Sequence, residues 1–515
     1  MTRSRLVLIV LTLCVALVPA IMAAALLRQY NQATLFDLIP AQSDEIMFWR
    51  QSATFAEVGF AGGYYTAYEL TPRVGGFYAW GLAAPVFYGS IGAVFGWPLW
   101  AIAVINLVAL AAAVVVYAWL IRASLEQMAW LGVFLALYHP LNNYAPTGYI
   151  EVLNMALALV LAGGFVRLLR AWRDGQPVPR GAALITGAVL LYAALLRAPW
   201  AVLFLPLLLL IDRPATWRRT LWTAAKSVAV ALIPVALYAL TSAPYPETIL
   251  SRIARNPSLE RLVRITGRNI ARNMALFMDG DHLELHVRVA TAVITLALTA
   301  VVLYVGWRWV RRRGIPARWQ LPVAEASLAW FTLATLLAFI IVVYDIHGLR
   351  GYRMLAGALL MAFGVTLAFR RRWLIVSAVA LLAVAFPYST HFYDLNTNFQ
   401  TAPEKHARYA EYKPLLADAL VYDPSLPSRW CNTVLFDLYY LLGETSVMVS
   451  APPGFGTSIT EAVPEGQMPI PPESRYLGLR DTTYALYADQ LNVEAVLPLP
   501  EGMLYRNLDA DCSAQ

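Results

Sequence analysis

The chain has 515 residues, of which 59% are hydrophobic and only 14% charged, and its mean hydropathy is +0.57. A soluble globular protein carries about 25% charged residues, so this composition excludes an ordinary cytosolic enzyme, a disordered chain and a nucleic-acid-binding protein. Residues 1–390 hold 32 Lys and Arg against 16 Asp and Glu, whereas residues 391–515 hold 7 against 16. The sequence therefore predicts a polytopic α-helical membrane domain over 1–390 and a small, acidic, water-facing α/β domain over 391–515.

Apolar segments able to cross about 30 Å of hydrocarbon, or nearly so, recur along the first 390 residues. We place about eleven transmembrane helices at residues 6–27, 98–121, 128–141, 150–168, 182–197, 199–211, 222–241, 287–308, 324–344, 354–369 and 373–390. The first segment has the basic start of a cleavable signal peptide, which is the alternative interpretation. Its apolar run continues to Leu27 and a membrane body follows, so a retained span is favoured.

The arginines set the expected orientation. If the spans alternate, basic segments fall on one side of the membrane at residues 3–5, 122, 167–180, 213–219, 308–318 and 370–372. Lys and Arg are retained on the cytoplasmic side, so we expect a multi-pass protein of the cell inner (cytoplasmic) membrane, with a cytoplasmic N-terminus and an extracytoplasmic C-terminal domain. Within the first outer loop, 28–97, the apolar segment 76–95 is predicted to lie along the interface as an amphipathic helix, because counting it as a span would invert every later basic loop.

The first outer loop carries two adjacent carboxylates, Asp44 and Glu45, at the start of a predicted helix for which Ser43 is the expected cap. Desolvation near the bilayer surface raises the proton affinity of a carboxylate, which suits a general base. The alternative is that the pair only complements the positive end of the helix dipole. A Gly-Gly-Tyr-Tyr stretch with Tyr64 and Tyr65 follows in the same loop.

An N-terminal span, an outer loop with Asp-Glu near its start, the Gly-Gly-Tyr-Tyr stretch, an interfacial helix, many further spans and a distal outer domain resemble the GT-C superfamily. Its members are integral membrane glycosyltransferases that use polyprenyl-phosphate-linked sugars, including protein O-mannosyltransferases and aminoarabinose transferases. The resemblance covers most of residues 1–370 in layout, but its residue content is confined to short motifs. It implies that Asp44 is the catalytic residue, with Glu45 the second candidate, and that Tyr64 and Tyr65 are acceptor or metal candidates.

The second outer loop ends at Glu151, which begins an apolar helix. A charge inside the hydrocarbon costs a few kcal/mol unless it faces a polar cavity. The resemblance implies that an acid here helps to hold the acceptor or a metal, and the alternative is that Glu151 caps its own helix. Oxygens of Asp44, Glu45 and Glu151, with His347 a further candidate, suit a hard divalent ion such as Mg²⁺ or Mn²⁺. Many members of the superfamily use no metal, so the sequence leaves the cofactor open.

A late outer loop contains His347, Arg350 and Arg353, with two glycines and a tyrosine among them. Guanidinium groups bind phosphate oxygens in a bidentate manner that lysine cannot reproduce. A fixed cation there stabilises the charge that develops as a polyprenyl phosphate departs, and the resemblance implies the same role. The alternative is that Arg350 and Arg353 snorkel to lipid headgroups.

Two further groups of arginines stand out. Arg197, between two short apolar stretches, is predicted to be the most buried cation, with Glu151 or the donor phosphate as its partner. The arginines between residues 252 and 272 are spaced by three, four or six residues and predict a basic helix face. Binding of anionic headgroups is the favoured interpretation of that face, and steering of a lipid donor is the alternative.

The tail reads as alternating short strands and helices, with strands expected at residues 432–436 and 495–499 and helices near 405–420 and 483–491. It contains Cys431 and Cys512, while the third cysteine, Cys14, lies in the first span. An extracytoplasmic tail is in an oxidising compartment, so a Cys431–Cys512 disulfide is predicted, with two unrelated buried thiols as the alternative.

These observations favour an inverting glycosyltransferase, hexosyl or pentosyl, that moves a sugar from a polyprenyl-phosphate donor to a lipid, glycan or protein acceptor at the outer face of the membrane. The first alternative is a non-enzymatic transporter or flippase of lipid-linked sugars, although we find no internal repeats typical of such folds. The second is a membrane polysaccharide polymerase or ligase, which has large late outer loops and lacks an acid pair after its first span.

Overall fold

The computed structural model describes residues 3–41, 43–61, 63–64, 73–74, 77, 81–214, 216–241, 258–278, 296, 299–300, 303–304, 307, 350–421, 423, 425, 429–437, 456–460, 474–499, 502–510 and 512. This part of the chain is mostly helical. Its α-helices are α1 Arg3–Leu26, α2 Ser43–Val58, α3 Ala83–Phe95, α4 Ala101–Ile121, α5 Leu125–Leu137, α6 His139–Tyr144, α7 Glu151–Arg173, α8 Arg180–Leu196, α9 Phe204–Asp212, α10 Trp217–Thr241, α11 Leu259–Met278, α12 Arg350–Ala368, α13 Arg372–Leu395, α14 Thr397–Ala419 and α15 Asp481–Tyr487.

Several of these helices have the dimensions of membrane spans. Within the described residues, five are long and apolar enough to cross a membrane: Arg5–Asn31, Ala101–Ile121, Glu151–Arg173, Arg218–Tyr238 and Arg372–Leu395. Shorter apolar helices occupy the other predicted spans between residues 128 and 211 and the span at 354–369. The predicted span at 324–344 and most of that at 287–308 lie outside the described residues, so the predicted count of about eleven stays a prediction.

Helix α7 is the centre of the bundle, because α4, α8 and α12 all pack against it. Small residues permit this close approach: a side chain on Gly163 would meet Tyr117 and Leu120 of α4, and one on Gly164 would overlap Thr186 of α8. Close backbone approach through small residues is the usual packing of helices in lipid, where the hydrophobic effect does not drive helices together. The apolar sequence of α7 is therefore buried by protein on nearly every face.

One end of the bundle is closed by polar side chains that bind the free carbonyls of helix ends. Arg170 donates to the carbonyl oxygens of Ile121 at 2.6 Å and Ala368 at 2.5 Å, the last residues of α4 and α12. Gln127 donates to the carbonyls of Leu367 and Ala368. The last carbonyls of a helix have no intrahelical partner, so these contacts satisfy groups that would be costly to bury unpaired.

At the other end, α2 and α3 pack as a pair over the bundle. A side chain on Gly89 would overlap the Ser52 carbonyl and Phe55, so the two helices touch at backbone distance. Trp49 donates its indole N–H to the carbonyl of Pro98, and Trp97 donates to the carbonyl of Trp49. A helix is present within residues 76–95 as α3, and its predicted place along the interface stays a prediction. Helix α2 begins with Ser43 as its first residue, at the position where Ser43 was expected as the cap.

The tail forms a five-stranded mixed sheet in the order β4-β3-β5-β7-β6. Its strands are β3 Thr433–Asp437, β4 Gly456–Thr460, β5 Tyr476–Arg480, β6 Val493–Leu499 and β7 Gly502–Asn507, after a two-stranded pair, β1 Gly63–Tyr64 and β2 Arg73–Val74, in the first outer loop. Strand β3 is parallel to both of its neighbours, and the other pairings of this sheet are antiparallel. The structure contains the predicted Cys431–Cys512 disulfide, which links the segment before β3 to the end of the chain.

Helix α14 connects the sheet to the rest of the fold. Its residues Tyr409 and Leu416 belong to one apolar cluster with Val434 and Tyr476 of the sheet and with Trp49 of α2. The tail therefore packs on the helix that carries the predicted catalytic acids. The division of the chain at residue 390 stays a prediction.

Candidate functional site

The first turn of α2 places the two adjacent carboxylates in different environments. Glu45 is buried, with 3% of its surface exposed, and its Oε2 accepts a hydrogen bond from the backbone N–H of Ala41 at 2.7 Å. Asp44 is half-buried. Successive residues on a helix point about 100° apart, so one acid faces the core and the other the rim. Glu45 thus holds the chain that enters α2 in place, and Asp44 is the more exposed of the two acids.

The second outer segment packs directly on this turn. A Cβ at Gly148 would lie 3.2 Å from the Cβ of Glu45, so residue 148 has no space for a side chain without displacing the acid. Gly148 lies between α6 and α7, which begins at Glu151. The two loops in which the sequence places the acids are therefore in contact.

Glu151 and Arg197 form a buried ion pair, with Arg197 Nη2 at 2.5 Å from Glu151 Oε1. Only 1% of the Glu151 side chain and 5% of the Arg197 side chain are exposed. Arg197 follows the last residue of α8 with an extended backbone, and its side chain reaches Glu151 at the start of α7. Of the two partners predicted for Arg197, Glu151 is the one found.

One apolar cluster connects the ion pair to the acid-bearing helix. Ile150 and Leu153, on either side of Glu151, and Leu196, beside Arg197, belong to the same cluster as Ile46 and Trp49 of α2. Packed interiors transmit small displacements because they contain few voids. The positions of Asp44 and of the ion pair are thus set by the same core.

The start of α12 lies next to this region. A Cβ at Gly357 would lie 2.8 Å from Asn154 Nδ2 and 3.3 Å from the ring of Trp200, and Trp200 donates its indole N–H to Asn154 Oδ1 at 2.7 Å. Positions 350 and 353 precede Gly357 by about two turns and one turn, so all three positions fall on one face of α12. The backbone therefore brings the two predicted phosphate-binding positions to the face of α12 that contacts α7.

Arg50 is a buried cation that the sequence reasoning did not single out. It is 3% exposed, and burial lowers its pKa to about 10, partly opposed by Tyr409. Tyr409 also packs edge-on against Trp49, with ring centroids 6.2 Å apart. The available signal was helical periodicity, which puts residue 50 one turn after the buried Ile46 and on the same face of α2.

A second polar network lies at the same end of the bundle. His139 Nδ1 is 2.8 Å from Ser389 Oγ, and Asn143 Nδ2 is 3.1 Å from His139 Nε2. Tyr393 donates its hydroxyl hydrogen to the carbonyl of Asn142 at 2.8 Å. These contacts attach α13 to α6 and hold the second outer segment in place.

The structure describes fewer contacts for the other predicted site residues. Tyr64 lies in β1, where it pairs with Arg73 of β2. Tyr65 and His347 lie outside the described residues. Among the residues that the structure describes, no group of three or more His, Cys, Asp or Glu is arranged to hold a metal ion. Glu45 and Glu151, two of the predicted metal ligands, bind Ala41 and Arg197 respectively.

Comparison with known proteins gives structural neighbours but no sequence family. No family model and no curated protein matches the chain. ArnT from Cupriavidus metallidurans bound to undecaprenyl phosphate is similar, with a TM-score of 0.49 and 14% identity over 98% of this chain and 99% of that one. The apo state of that ArnT gives a TM-score of 0.42 at 14% identity over the same shares. The Archaeoglobus fulgidus oligosaccharyltransferase with a tethered acceptor peptide gives 0.43 at 11% identity over 96% of this chain and 74% of that one. Because these identities and scores are low, the function of this chain is argued from its own residues.

Proposed function

We propose that this protein is an inverting glycosyltransferase that moves a sugar from a polyprenyl-phosphate donor to a hydroxyl-bearing acceptor at the outer face of the inner membrane. The observation that carries the proposal is the difference in burial between the two acids in the first turn of α2. Glu45 is buried and bound to the backbone of Ala41, while its neighbour Asp44 stays at the rim. A general base must lie within hydrogen-bond reach of the acceptor, which the partly exposed Asp44 allows, and the layout of the sequence resembles that of the GT-C superfamily at the same position.

The reaction is a single displacement. Asp44 accepts the proton of the acceptor hydroxyl, whose oxygen forms a bond to the anomeric carbon. The bond between that carbon and the phosphate oxygen breaks on the opposite face, and the polyprenyl phosphate leaves with the electron pair. Because one displacement occurs, the configuration at the anomeric carbon inverts.

The leaving phosphate gains negative charge during this step, and a cation fixed near it lowers the barrier. Arg350 and Arg353 are our candidates, because their positions lie on the face of α12 that packs near Asn154 and Trp200. Arg197 donates to Glu151 in the described structure, so its role in this proposal is to hold the wall of the site.

The Glu151–Arg197 pair is proposed to position the acceptor side of the site. A buried pair of this kind has a fixed geometry, because breaking it would leave a charge in a medium of low polarity. The surrounding cluster couples the pair to α2. Tyr64 and Tyr65 remain proposed acceptor contacts on the loop after α2, and the need for Mg²⁺ or Mn²⁺ stays open.

The test is transfer of radiolabelled sugar from polyprenyl-phosphate donors by the purified full chain. Asp44→Asn removes the base at constant volume and is expected to lower turnover about 100- to 10,000-fold. Glu57→Gln is the matched control, since Glu57 is an exposed acid on the same helix, and it should remain within twofold of wild type.

The same preparation separates the proposal from its alternatives. Retention of donor binding by Asp44→Asn, with transfer lost, supports catalysis at this residue. Movement of a labelled lipid-linked sugar across proteoliposomes without any transferred product would instead indicate a flippase, and Asp44→Asn activity within threefold of wild type would remove Asp44 as the base.

A further inference from the structure

A cleft of about 1000 Å³ opens at the end of the bundle opposite to Glu151. Its walls come from the first turns of α1, the last turns of α4 and the start of α8, and Arg167 of α7 also lines it. Along α7, Arg167 is 16 residues from Glu151, which corresponds to about 24 Å at 1.5 Å per residue. The cleft is therefore separated from the proposed catalytic region by most of the thickness of a bilayer.

Four arginines line the cleft: Arg5, Arg122, Arg167 and Arg180. They come from four different segments, and none of the described residues that line the cleft is a carboxylate. Arg122 and Arg167 are close enough for their positive charges to repel each other. In the described part of the chain, carboxylates near this end pair with other arginines, Asp174 with Arg173 and Glu126 with Arg372. The described residues therefore gather positive charge at this cleft and supply no carboxylate to its lining.

The remaining walls of the cleft are apolar. Leu8, Ile9 and Leu13 of α1 face Val115 and Trp119 of α4 across it. Four of these side chains are well exposed, at 47% for Ile9, 52% for Leu13, 41% for Val115 and 62% for Trp119. A free phosphate would satisfy the arginines but leave this apolar wall uncovered, whereas a lipid has both a phosphate and a hydrocarbon chain. The chemistry of the cleft thus matches an anionic amphiphile.

We propose that this cleft binds an anionic phospholipid whose headgroup carries two phosphates, as in cardiolipin. Four guanidinium groups provide two bidentate donors for each phosphate, and arginine-lined pockets between transmembrane helices suit headgroups of this type. The acyl chains lie along the apolar wall of α1 and α4. Bound in this way, the lipid links the first turn of α1 to the start of α8 through Arg5 and Arg180. The site is independent of the transfer reaction, which is proposed at the other end of the bundle.

The test is native mass spectrometry of the delipidated full chain with cardiolipin, with phosphatidylcholine, with a polyprenyl phosphate and with inorganic phosphate as separate additions. Wild type is expected to retain cardiolipin at least tenfold better than phosphatidylcholine or polyprenyl phosphate. It is expected to retain no inorganic phosphate. Arg122→Gln/Arg167→Gln should lower cardiolipin retention roughly 30-fold. Arg173→Gln, which removes an exposed arginine near the same end of α7 but outside the cleft, should change it less than twofold.

Two results would overturn the proposal. Equal retention of cardiolipin by the double variant and by Arg173→Gln would mean that the cleft is not the site. Equal retention of polyprenyl phosphate and cardiolipin by wild type would assign the cleft to the donor lipid or its product. If the double variant does not fold, Arg180→Gln at the exposed start of α8 replaces it, with a loss of at least threefold expected, and an unchanged retention by that variant contradicts the proposal.

Discussion

Arg197, which follows the last residue of α8, donates to the carboxylate of Glu151, the first residue of α7, and both side chains are buried. The two residues are 46 positions apart in the sequence, and the pair joins two consecutive helices. Removing one partner of a buried pair leaves the other charge uncompensated, whereas replacing both with apolar residues is often tolerated. This asymmetry makes the pair testable by a double-mutant cycle.

Glu151→Leu and Arg197→Met are each expected to lower the free energy of unfolding by about 3–5 kcal/mol, and the double variant by less than either single one. Thermal unfolding in detergent, followed by intrinsic fluorescence, gives the comparison. Strictly additive losses would mean that the two side chains do not interact. Because the pair is proposed to position the acceptor, the double variant should regain stability without regaining transfer.

Glu45 and Asp44, the two acids of α2, should have different functions, and substitutions of each should have different effects. Glu45→Gln keeps an oxygen that can accept from the backbone of Ala41, so transfer should stay within about tenfold of wild type, since general-base assistance is not lost. Glu45→Ala removes that acceptor from a buried site and should lower stability by about 1–3 kcal/mol. Turnover and melting temperature are measured on the same preparations. Loss of transfer in Glu45→Gln together with an active Asp44→Asn would make Glu45 the base.

Arg350→Ala and Arg353→Ala should weaken the use of the donor more than that of the acceptor, because the proposed contact is with the phosphate that leaves on the lipid. Lysine at either position restores the charge without the bidentate geometry, so only partial rescue is expected. Steady-state kinetics with each substrate varied in turn measures the difference. Arg372→Ala, beyond the opposite end of α12 and paired with the exposed Glu126, is the control and should alter neither KM. Equal losses for both substrates would contradict the assignment.

Gly164 tests the packing at the centre of the bundle. Gly164→Ala would bring its Cβ into the side chain of Thr186, whose hydroxyl donates to the carbonyl of Ala182 at 2.6 Å. Overpacking of this kind costs about 1–3 kcal/mol. Gly187→Ala on α8 has open space around the new methyl group, so its melting temperature should be unchanged or raised. A destabilisation shared equally by both variants would indicate a general cost of changing glycine instead of the contact with Thr186.

The disulfide gives a prediction about the tail. Cys431 and Cys512 are 81 positions apart, and in the chain-entropy model closing a loop of that length stabilises the fold by roughly 4.5 kcal/mol. Thiol labelling of denatured, unreduced protein should find one reactive cysteine, Cys14, and labelling after reduction should find three. Three reactive cysteines before reduction would contradict both the bridge and an oxidising location for the tail.

The sequence by itself determined which segments are helices and where charge must be compensated. The runs at residues 98–121 and 150–168 correspond to α4 and α7, because hydrophobicity over about 20 residues is a local property. The start of α2 at Ser43 and the strands at β3 and β6 follow from equally local signals. Arg197 stood out as a buried cation for the same reason, since an isolated charge in an apolar run is costly wherever the run is placed.

Only the tertiary structure decided which charges meet. Glu151 became the partner of Arg197 because α7 packs against α8, and Gly164 of α7 allows this packing where it meets Thr186 of α8. The distinction between Glu45 and Asp44, and the burial of Arg50, depend on which face of α2 is covered by α3 and α14. Hydropathy does not show which face of α2 is covered. The energy of a buried charge is set by atoms that the chain brings together from distant positions.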